Sequence, residues 1–202
     1  MLVLVLETST SAAKALLYDS ENGVIDEDSR AYPSKISNNG EQDTEAVFRA
    51  TLEAGNKVAA GKEIAAISVG GVWHSIAICD RSMNPVAPTY IWTFTKASDI
   101  CHSVREDKKL TNRLYTQTGC MPNITYQPYT LRYLSDNGMD LKDKIFLSQA
   151  GYNFYRLTGE HLETASIISG MGNITVTTNL NKFVPALSHF RIKWVNWLCT
   201  VV

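Results

Sequence analysis

The stretch Leu2–Asp19, LVLVLETSTSAAKALLYD, organises the rest of the chain. Its first part, Leu2–Leu6, is entirely apolar, as is typical of a strand that is buried on both faces. Small hydroxyl residues follow, and a mainly apolar run then extends from Lys14 to Tyr18. The stretch therefore predicts two β-strands that are joined by a short polar turn.

The predicted turn, Glu7–Ser11, has the composition of an anion site. A tight turn of small residues can direct backbone N–H groups into a concave space that binds phosphate, and Thr and Ser hydroxyls add further donors. The Glu7 carboxylate can hold Mg²⁺ through water, since magnesium keeps most of its hydration shell. From this stretch alone, an ordinary hairpin with a Ser/Thr turn is the simpler interpretation.

The overall composition indicates a globular protein. The chain has 202 residues, of which 45% are hydrophobic, and a formal net charge of −1. The near-neutral charge argues against nucleic acid as a main partner. No run of 18 apolar residues is present, so no membrane span is expected. Leu2–Leu6 is too short for a signal peptide.

The four cysteines are scattered along the chain and show no Cys-x-x-Cys spacing. Reduced thiols in a cytoplasmic protein are the simplest interpretation, and a zinc site is not expected.

Alternating strands and helices are predicted after the opening hairpin. Strands are expected at Ser29–Tyr32, Ile64–Val69 (buried), Ile76–Cys79 and Ile145–Leu147. Helices are expected from Asp43 to about Ala60, over Ala97–Gln117, over Tyr126–Leu134, from Ser148 to about Leu157, and over Ala186–Val202. A strand meander followed by alternating elements indicates an α/β fold, with a mixed sheet and helices on its faces.

Ordered segments of the chain resemble one known family. They are Glu7–Lys14, Glu41–Asp43, Ile64–Ser75 with Asp80 and Pro85–Trp92, Thr118–Cys120 with Tyr126 and Leu131–Leu134, and Tyr155–Glu160. In this order they resemble the N-terminal domain of the FGGY carbohydrate kinases, which have two actin-like, RNase H-like domains. His74-Ser75 and the segment from Thr118 to Tyr126 look most like gluconate kinases, and xylulose kinases come next.

The resemblance implies a kinase that transfers the γ-phosphoryl group of ATP to a hydroxyl of a sugar or sugar acid, with Mg²⁺ as the metal. It implies that Thr10 and Ser11 donate to phosphate and that Lys14 lies nearby. It places Glu7 where the family has the metal-linked Asp.

The same resemblance assigns three residues to the substrate. His74 follows a predicted strand end, where a neutral imidazole can hydrogen-bond a sugar hydroxyl. Trp73 can stack on the sugar, and Tyr126 can present its hydroxyl. The alternative for each is structural: a packed histidine, a core tryptophan and a packing residue at the start of a helix.

The chain departs from the family pattern at several positions. Glu7 and Ser9 replace the Asp and Gly of Asp-x-Gly-Thr, and Phe94 and Lys96 replace the Asp and Arg of Trp-x-Asp-x-Arg. Thr164 also stands where an Asp is usual. A longer carboxylate shifts a tuned metal site, and lysine lacks the bidentate fork of arginine. These changes imply an unusual substrate or a weakened site.

Family members continue well beyond this length. Their general base is an Asp in a later Gly-x-x-Asp segment, which is expected beyond residue 202. Residues 1–202 are therefore expected to be an incomplete N-terminal kinase domain that lacks its C-terminal partner domain and turns over little ATP alone. An open sheet edge and uncovered apolar surface would favour a homodimer.

Two other hypotheses remain open. One is a non-catalytic sugar- or nucleotide-binding domain that kept the kinase fold, as the substitutions at Glu7, Phe94 and Thr164 suggest. The other is an unrelated actin-like ATPase or RNase H-like domain. RNase H chemistry needs clustered acidic residues on the central strands, and the predicted strands carry no such cluster.

Overall fold

The computed structural model describes residues 1–164 and 167–168. Within them the strands are Leu2–Thr8 (β1), Ala12–Asp19 (β2), Gly23–Ala31 (β3), Ser37–Asn38 (β4), Glu41–Gln42 (β5), Ala66–Gly71 (β6), Ala77–Cys79 (β7), Thr89–Tyr90 (β8) and Ile145–Leu147 (β9). The helices are Thr44–Ala59 (α1), Ser98–Glu106 (α2), Lys108–Thr118 (α3), Gln127–Asp136 (α4) and Gln149–Thr158 (α5).

The main sheet has four strands in the order β3-β2-β1-β6. The first three form an antiparallel meander, and β6 pairs with β1 in parallel. This confirms the predicted opening hairpin and the mixed sheet. Short strands form a three-stranded sheet, β4-β5-β8, and a two-stranded sheet, β7-β9.

Helix α1 covers one face of the main sheet. The Asp43 side chain accepts a hydrogen bond from Ala46 N at 2.8 Å, which caps the first turn of the helix. Leu17 on β2 and Ala54 on α1 are both fully buried in the shared core. Because side chains alternate across a strand, the leucines of β1 at Leu4 and Leu6 face the same core.

A second core lies between α4 and the short strands β7, β8 and β9. Its buried members are Ile76, Ile78, Tyr90, Phe94, Leu131, Leu134 and Phe146. Phe94, which stands where the resemblance implies an Asp, is only 2% exposed. Its ring contacts the Tyr90 ring edge-on, with 4.8 Å between centroids. The position is therefore part of the core in this chain.

Three predicted elements differ from the observed ones. The third strand begins at Gly23 instead of Ser29, directly after the turn. The helix predicted over Ala97–Gln117 is two helices, because the Asp107 side chain accepts from Leu110 N at 2.9 Å and starts α3. The strand predicted at Ile64–Val69 as buried lies at Ala66–Gly71, and its first half is exposed.

The exposure of β6 has a structural reason. Among the described residues β6 has a neighbouring strand on one side only, and α5 reaches its C-terminal end. A Cβ on Gly71 would lie 2.9 Å from Ala150 Cβ, so glycine permits this close approach. The predicted helix Ala186–Val202 lies outside the described residues. In the described part of the chain, no helix has both the length and the apolarity needed to cross a membrane.

Candidate functional site

The candidate site lies at the C-terminal edge of the two parallel strands β1 and β6. Thr8 pairs with Gly71 at the ends of these strands, and Val72 N donates to Thr8 O at 2.7 Å. The turn after β1 and the loop after β6 therefore leave the sheet side by side. This edge is where ligands bind in open α/β sheets.

The turn after β1 is closed by the Ser9 hydroxyl. Ser9 Oγ donates to Ala12 O at 2.9 Å and accepts from Ala12 N at 3.1 Å and from Ser11 N at 3.4 Å. The backbone N–H groups of Ser11 and Ala12, which are candidate phosphate donors, thus already have an acceptor. Ser9 does not have a positive φ, so a residue with a Cβ fits here without backbone strain.

Two residues outside the turn hold Thr10. The fully buried Gln42 donates from Nε2 to Thr10 O at 2.9 Å and to Ser9 O at 3.4 Å. Trp92 donates from Nε1 to Thr10 Oγ1 at 2.9 Å. No local sequence pattern predicts these two contacts, although Gln42 and Trp92 both lie in segments that carry the family resemblance.

The charged residues of the turn form an ion pair across the hairpin. Glu7 is opposite Lys14 in the register of β1 and β2, and their Oε2 and Nζ atoms are 3.8 Å apart. Both side chains are about half exposed, so the pair contributes little to stability and leaves both groups accessible. Ser11 is also exposed, and its carbonyl accepts from Tyr32 N.

The loop after β6 carries the aromatic part of the site. The His74 ring lies 5.7 Å from the Trp73 ring and 5.6 Å from the Tyr126 ring, measured between centroids. The structure therefore brings together all three predicted substrate residues. Trp73 is 52% exposed, which does not fit the alternative of a core tryptophan.

The backbone of this loop is strained at one residue. His74 has φ of 57°, in the left-handed region that residues with a Cβ seldom adopt. The next residue, Ser75, is buried, donates from Oγ to Val72 O at 3.0 Å and accepts from Gln149 N at 3.2 Å. Such conformations persist where the surroundings hold them, and they cluster at ligand sites.

Tyr126 is the residue that precedes α4. Partial burial raises the pKa of its hydroxyl, and the neighbouring Cys120 thiol raises that pKa further. The hydroxyl therefore stays protonated at neutral pH and can both donate and accept hydrogen bonds.

The two substituted residues of the Trp92–Lys96 segment make their contacts away from the loop that follows β6. Lys96 Nζ lies 3.2 Å from Glu41 Oε1 and 5.5 Å from the centroid of the Phe94 ring. Lys96 and Glu41 also line a cleft of about 560 Å³ beside the β4-β5 hairpin. Trp73, His74 and Tyr126 do not line that cleft.

The family model for the N-terminal domain of the FGGY carbohydrate kinases matches residues 2–183. This range is most of the 202-residue chain. The chain belongs to the FGGY family of carbohydrate kinases. Membership confirms the resemblance, and it removes the hypothesis of an unrelated actin-like ATPase or RNase H-like domain.

Curated relatives of this FGGY chain include several kinds of kinase. A glycerol kinase of Thermococcus gammatolerans is 26% identical over 173 residues, which are 79% of this chain and 35% of the relative. A gluconokinase of Bacillus subtilis is 22% identical over 174 residues, which are 83% of this chain and 34% of the relative. The chain thus spans about a third of the length of these relatives.

A solved structure shares the fold of this FGGY chain. A xylulose kinase from Lactobacillus acidophilus has a TM-score of 0.78 and 21% identity, over 88% of this chain and 37% of that protein. The likeness confirms the predicted α/β class: an actin-like fold with a mixed sheet and helices on its faces.

The donor set of the FGGY chain fits a magnesium ion held through water. Proteins often bind Mg²⁺ with one or two carboxylates and water in the remaining positions. Glu7 is half exposed at the end of β1, where such an ion would compete with Lys14 for the carboxylate. Within the described residues, no three His, Cys, Asp or Glu side chains are grouped closely enough to hold a metal directly.

Proposed function

We propose that this chain is the N-terminal part of a kinase that transfers the γ-phosphoryl group of ATP to a hydroxyl of a sugar or sugar acid, of the gluconate or xylulose type. One observation supports it above the others. The hydroxyl-rich turn and the Trp73–His74 loop leave adjacent parallel strands at one sheet edge. A phosphate donor and a sugar acceptor bound to these two segments would be neighbours.

In this proposal the loop after β6 and the neighbouring Tyr126 bind the acceptor sugar. The exposed Trp73 ring stacks on a sugar face, and the His74 ring and the Tyr126 hydroxyl donate to or accept from sugar hydroxyls. The rings hold the sugar in place, which reduces the entropic cost of bringing the acceptor hydroxyl to the phosphoryl group.

The turn binds the phosphates. Ser11 and Thr10 supply hydroxyl donors, Lys14 supplies a positive charge, and Glu7 would hold Mg²⁺ through water. When bound, the metal neutralises charge on the phosphate oxygens, and most of the catalysis in such reactions is positioning and charge neutralisation. Lys14 is accessible for this role because its pair with Glu7 is exposed.

We also propose that residues 1–202 belong to a longer, two-domain kinase, in which a Gly-x-x-Asp segment beyond residue 202 supplies the general base and the C-terminal domain covers the nucleotide. Without that base the acceptor hydroxyl keeps its proton, so the 202-residue chain is expected to show little sugar-dependent ADP production. Robust sugar-dependent ADP production by the purified chain would contradict this. The coding sequence beyond the Val202 codon tests the proposal directly.

The experiment that tests sugar binding is calorimetric titration of the chain with gluconate, xylulose and glycerol. His74→Ala is expected to abolish binding of the preferred sugar, since it removes the central ring of the cluster. His102→Ala is the matched control, because His102 is exposed on α2. Equal loss in both variants, or no binding of any sugar by the unaltered chain, would refute the proposed acceptor site.

A second titration with Mg-ADP tests the turn. Lys14→Ala is expected to weaken Mg-ADP binding and to leave sugar binding unchanged.

A second candidate function, a non-catalytic sugar-binding domain, is supported by the Ser9 contacts, which occupy two amide donors of the turn. A non-catalytic sugar-binding domain would bind a sugar, would not bind Mg-ADP, and would remain inactive after the whole missing part of the kinase is restored.

We propose that the protein is cytoplasmic. Cys79, Cys101 and Cys120 are free thiols, and the first two are buried. Unpaired cysteines support a reducing compartment.

A further inference from the structure

Gln127 forms a hydrogen bond that links the two sides of the aromatic cluster. It is the first residue of α4, it is 3% exposed, and its Nε2 donates to Ser75 O. Ser75 directly follows His74, and Gln127 directly follows Tyr126. The bond therefore joins the residues next to the two rings that face each other at 5.6 Å.

No other hydrogen bond that the structure describes joins the segment Val72–Ser75 to α4. The remaining bonds of Ser75 run to Val72 within the loop and to Gln149 at the start of α5. These bonds fix the loop on its own strand and on α5, and they do not set its distance from Tyr126. The Gln127 amide, by contrast, joins the loop directly to the first residue of α4.

Because the Gln127–Ser75 hydrogen bond is buried, its loss is costly. A buried carbonyl that loses its donor keeps the full cost of desolvation, so the loop would move to recover a partner. His74 has φ of 57° and directly precedes Ser75, so a shift of Ser75 alters the strained backbone that carries the imidazole beside Tyr126.

We propose that Gln127 is a positioning residue for the acceptor site, and that its amide sets the spacing between the His74 and Tyr126 rings on which sugar affinity depends. The inference rests on the proposed function for its ligand, a polyhydroxylated sugar or sugar acid. Gln127 itself is buried and acts through Ser75.

The first test uses the unaltered chain and needs no ligand. The side-chain amide protons of Gln127 are expected to exchange with solvent at least tenfold more slowly than those of Gln117, a partly exposed glutamine near the end of α3. The two side-chain NH₂ signals are assigned by Gln127→Met and Gln117→Met. Exchange as fast as that of Gln117 would overturn the proposed contact.

The second test follows the His74 ring. Gln127→Met keeps the length of the side chain and removes the donor. The imidazole Cε1–H resonance of His74, which lies next to two aromatic rings, is expected to shift in Gln127→Met and to stay in place in Gln117→Met. His74→Gln assigns the signal. An unchanged resonance in folded Gln127→Met would overturn the positioning role.

The third test measures binding. Gln127→Met is expected to weaken binding of gluconate, or of the sugar that the unaltered chain binds best, by about fivefold to tenfold, as for one buried hydrogen bond. Mg-ADP binding should be unchanged, whereas a general loss of structure would weaken both. If the unaltered chain binds no sugar, the proposed function fails. The amide-exchange test and the His74 resonance test still decide the role of Gln127.

Discussion

The Ser9 hydroxyl occupies two backbone donors that could otherwise bind phosphate, because it accepts hydrogen bonds from the N–H groups of Ser11 and Ala12. Ser9→Gly removes that acceptor and restores the family's glycine, so these donors become available to phosphate. We expect Mg-ADP to bind about tenfold more tightly, since each charge-assisted hydrogen bond contributes on the order of 1.5–3 kcal/mol before the added chain entropy is subtracted. Calorimetric titration measures the change, and unchanged or weaker affinity would contradict it.

Gly40 is required by a close backbone approach. Its φ is 82°, and a Cβ would lie 2.3 Å from Phe94 N. Gly40→Ala is therefore expected to lower the free energy of unfolding by more than about 2 kcal/mol, through strain and overlap together. Gly23→Ala is the control, because Gly23 has φ of 77° and open space around its Cα. Urea denaturation should show a clearly larger loss for Gly40→Ala.

Glu163 is a buried carboxylic acid that follows α5 in the chain and contacts the first turn of that helix. It accepts hydrogen bonds from the backbone N–H and the hydroxyl of Ser148, yet burial raises its pKa from 4.5 to about 7. A folded-state pKa above the unfolded value means that the folded chain binds this proton more tightly. The stabilising contribution of Glu163 is therefore complete below pH 4.5 and is lost as the pH rises to about 7.

This linkage predicts the behaviour of Glu163→Gln. Relative to this variant, the unaltered chain is expected to lose about 3 kcal/mol of unfolding free energy between pH 4.5 and pH 8, because one pKa unit corresponds to about 1.4 kcal/mol. Urea denaturation at several pH values measures the difference in unfolding free energy between the unaltered chain and Glu163→Gln. Other titrating groups, such as the partly buried His161, are present in both chains and cancel in this difference. A difference that does not vary with pH would rule out the raised pKa.

At the scale of elements, Asp107 decides that the chain between Ser98 and Thr118 forms two helices. Its side chain accepts from Leu110 N, and its backbone is extended. Asp107→Ala removes the cap and is expected to destabilise the fold by about 1 kcal/mol. Asp107→Asn keeps an acceptor and should cost clearly less. Equal losses in thermal and urea denaturation would show that the cap is not the source of the effect.

At the scale of the whole molecule, the two edges of the main sheet differ. The β3 edge carries charged residues, including Asp26, Glu27 and Arg30, which discourage pairing with another sheet. The β6 edge, AISVGG, carries no charge, and Ile67 is 52% exposed. Among residues 1–164 and 167–168 no further strand pairs with this edge. An open edge with apolar side chains favours strand addition, so we expect the 202-residue chain to form homodimers through β6.

Sedimentation analysis over a range of concentrations tests this association. Ile67→Lys is expected to shift the population to monomer by placing like charges in contact across the paired edges. Ile25→Lys, at a residue of β3 that is 46% exposed, is the matched control and should leave association unchanged. A chain that is monomeric at high concentration, or equal effects of both substitutions, would contradict an interface at β6.

The sequence by itself determined the elements whose signals are local. A continuous apolar run specifies β1, a mainly apolar run specifies β2, and the Asp43 cap starts α1. The spaced motifs also determined the family and the identity of the candidate site residues, from Glu7 to Tyr126. Residue type and order are sufficient for these inferences, because hydrophobic periodicity and caps act within a few residues of the chain.

Only the tertiary structure decided how these residues meet. The Ser9 hydroxyl fills the turn, Phe94 enters the second core, and Gln127 reaches Ser75 across 52 positions of sequence. The exposure of β6 likewise depends on which elements cover it. These are long-range contacts or competition between alternative partners, and no local pattern encodes them, because their energies depend on burial and distance in the folded chain.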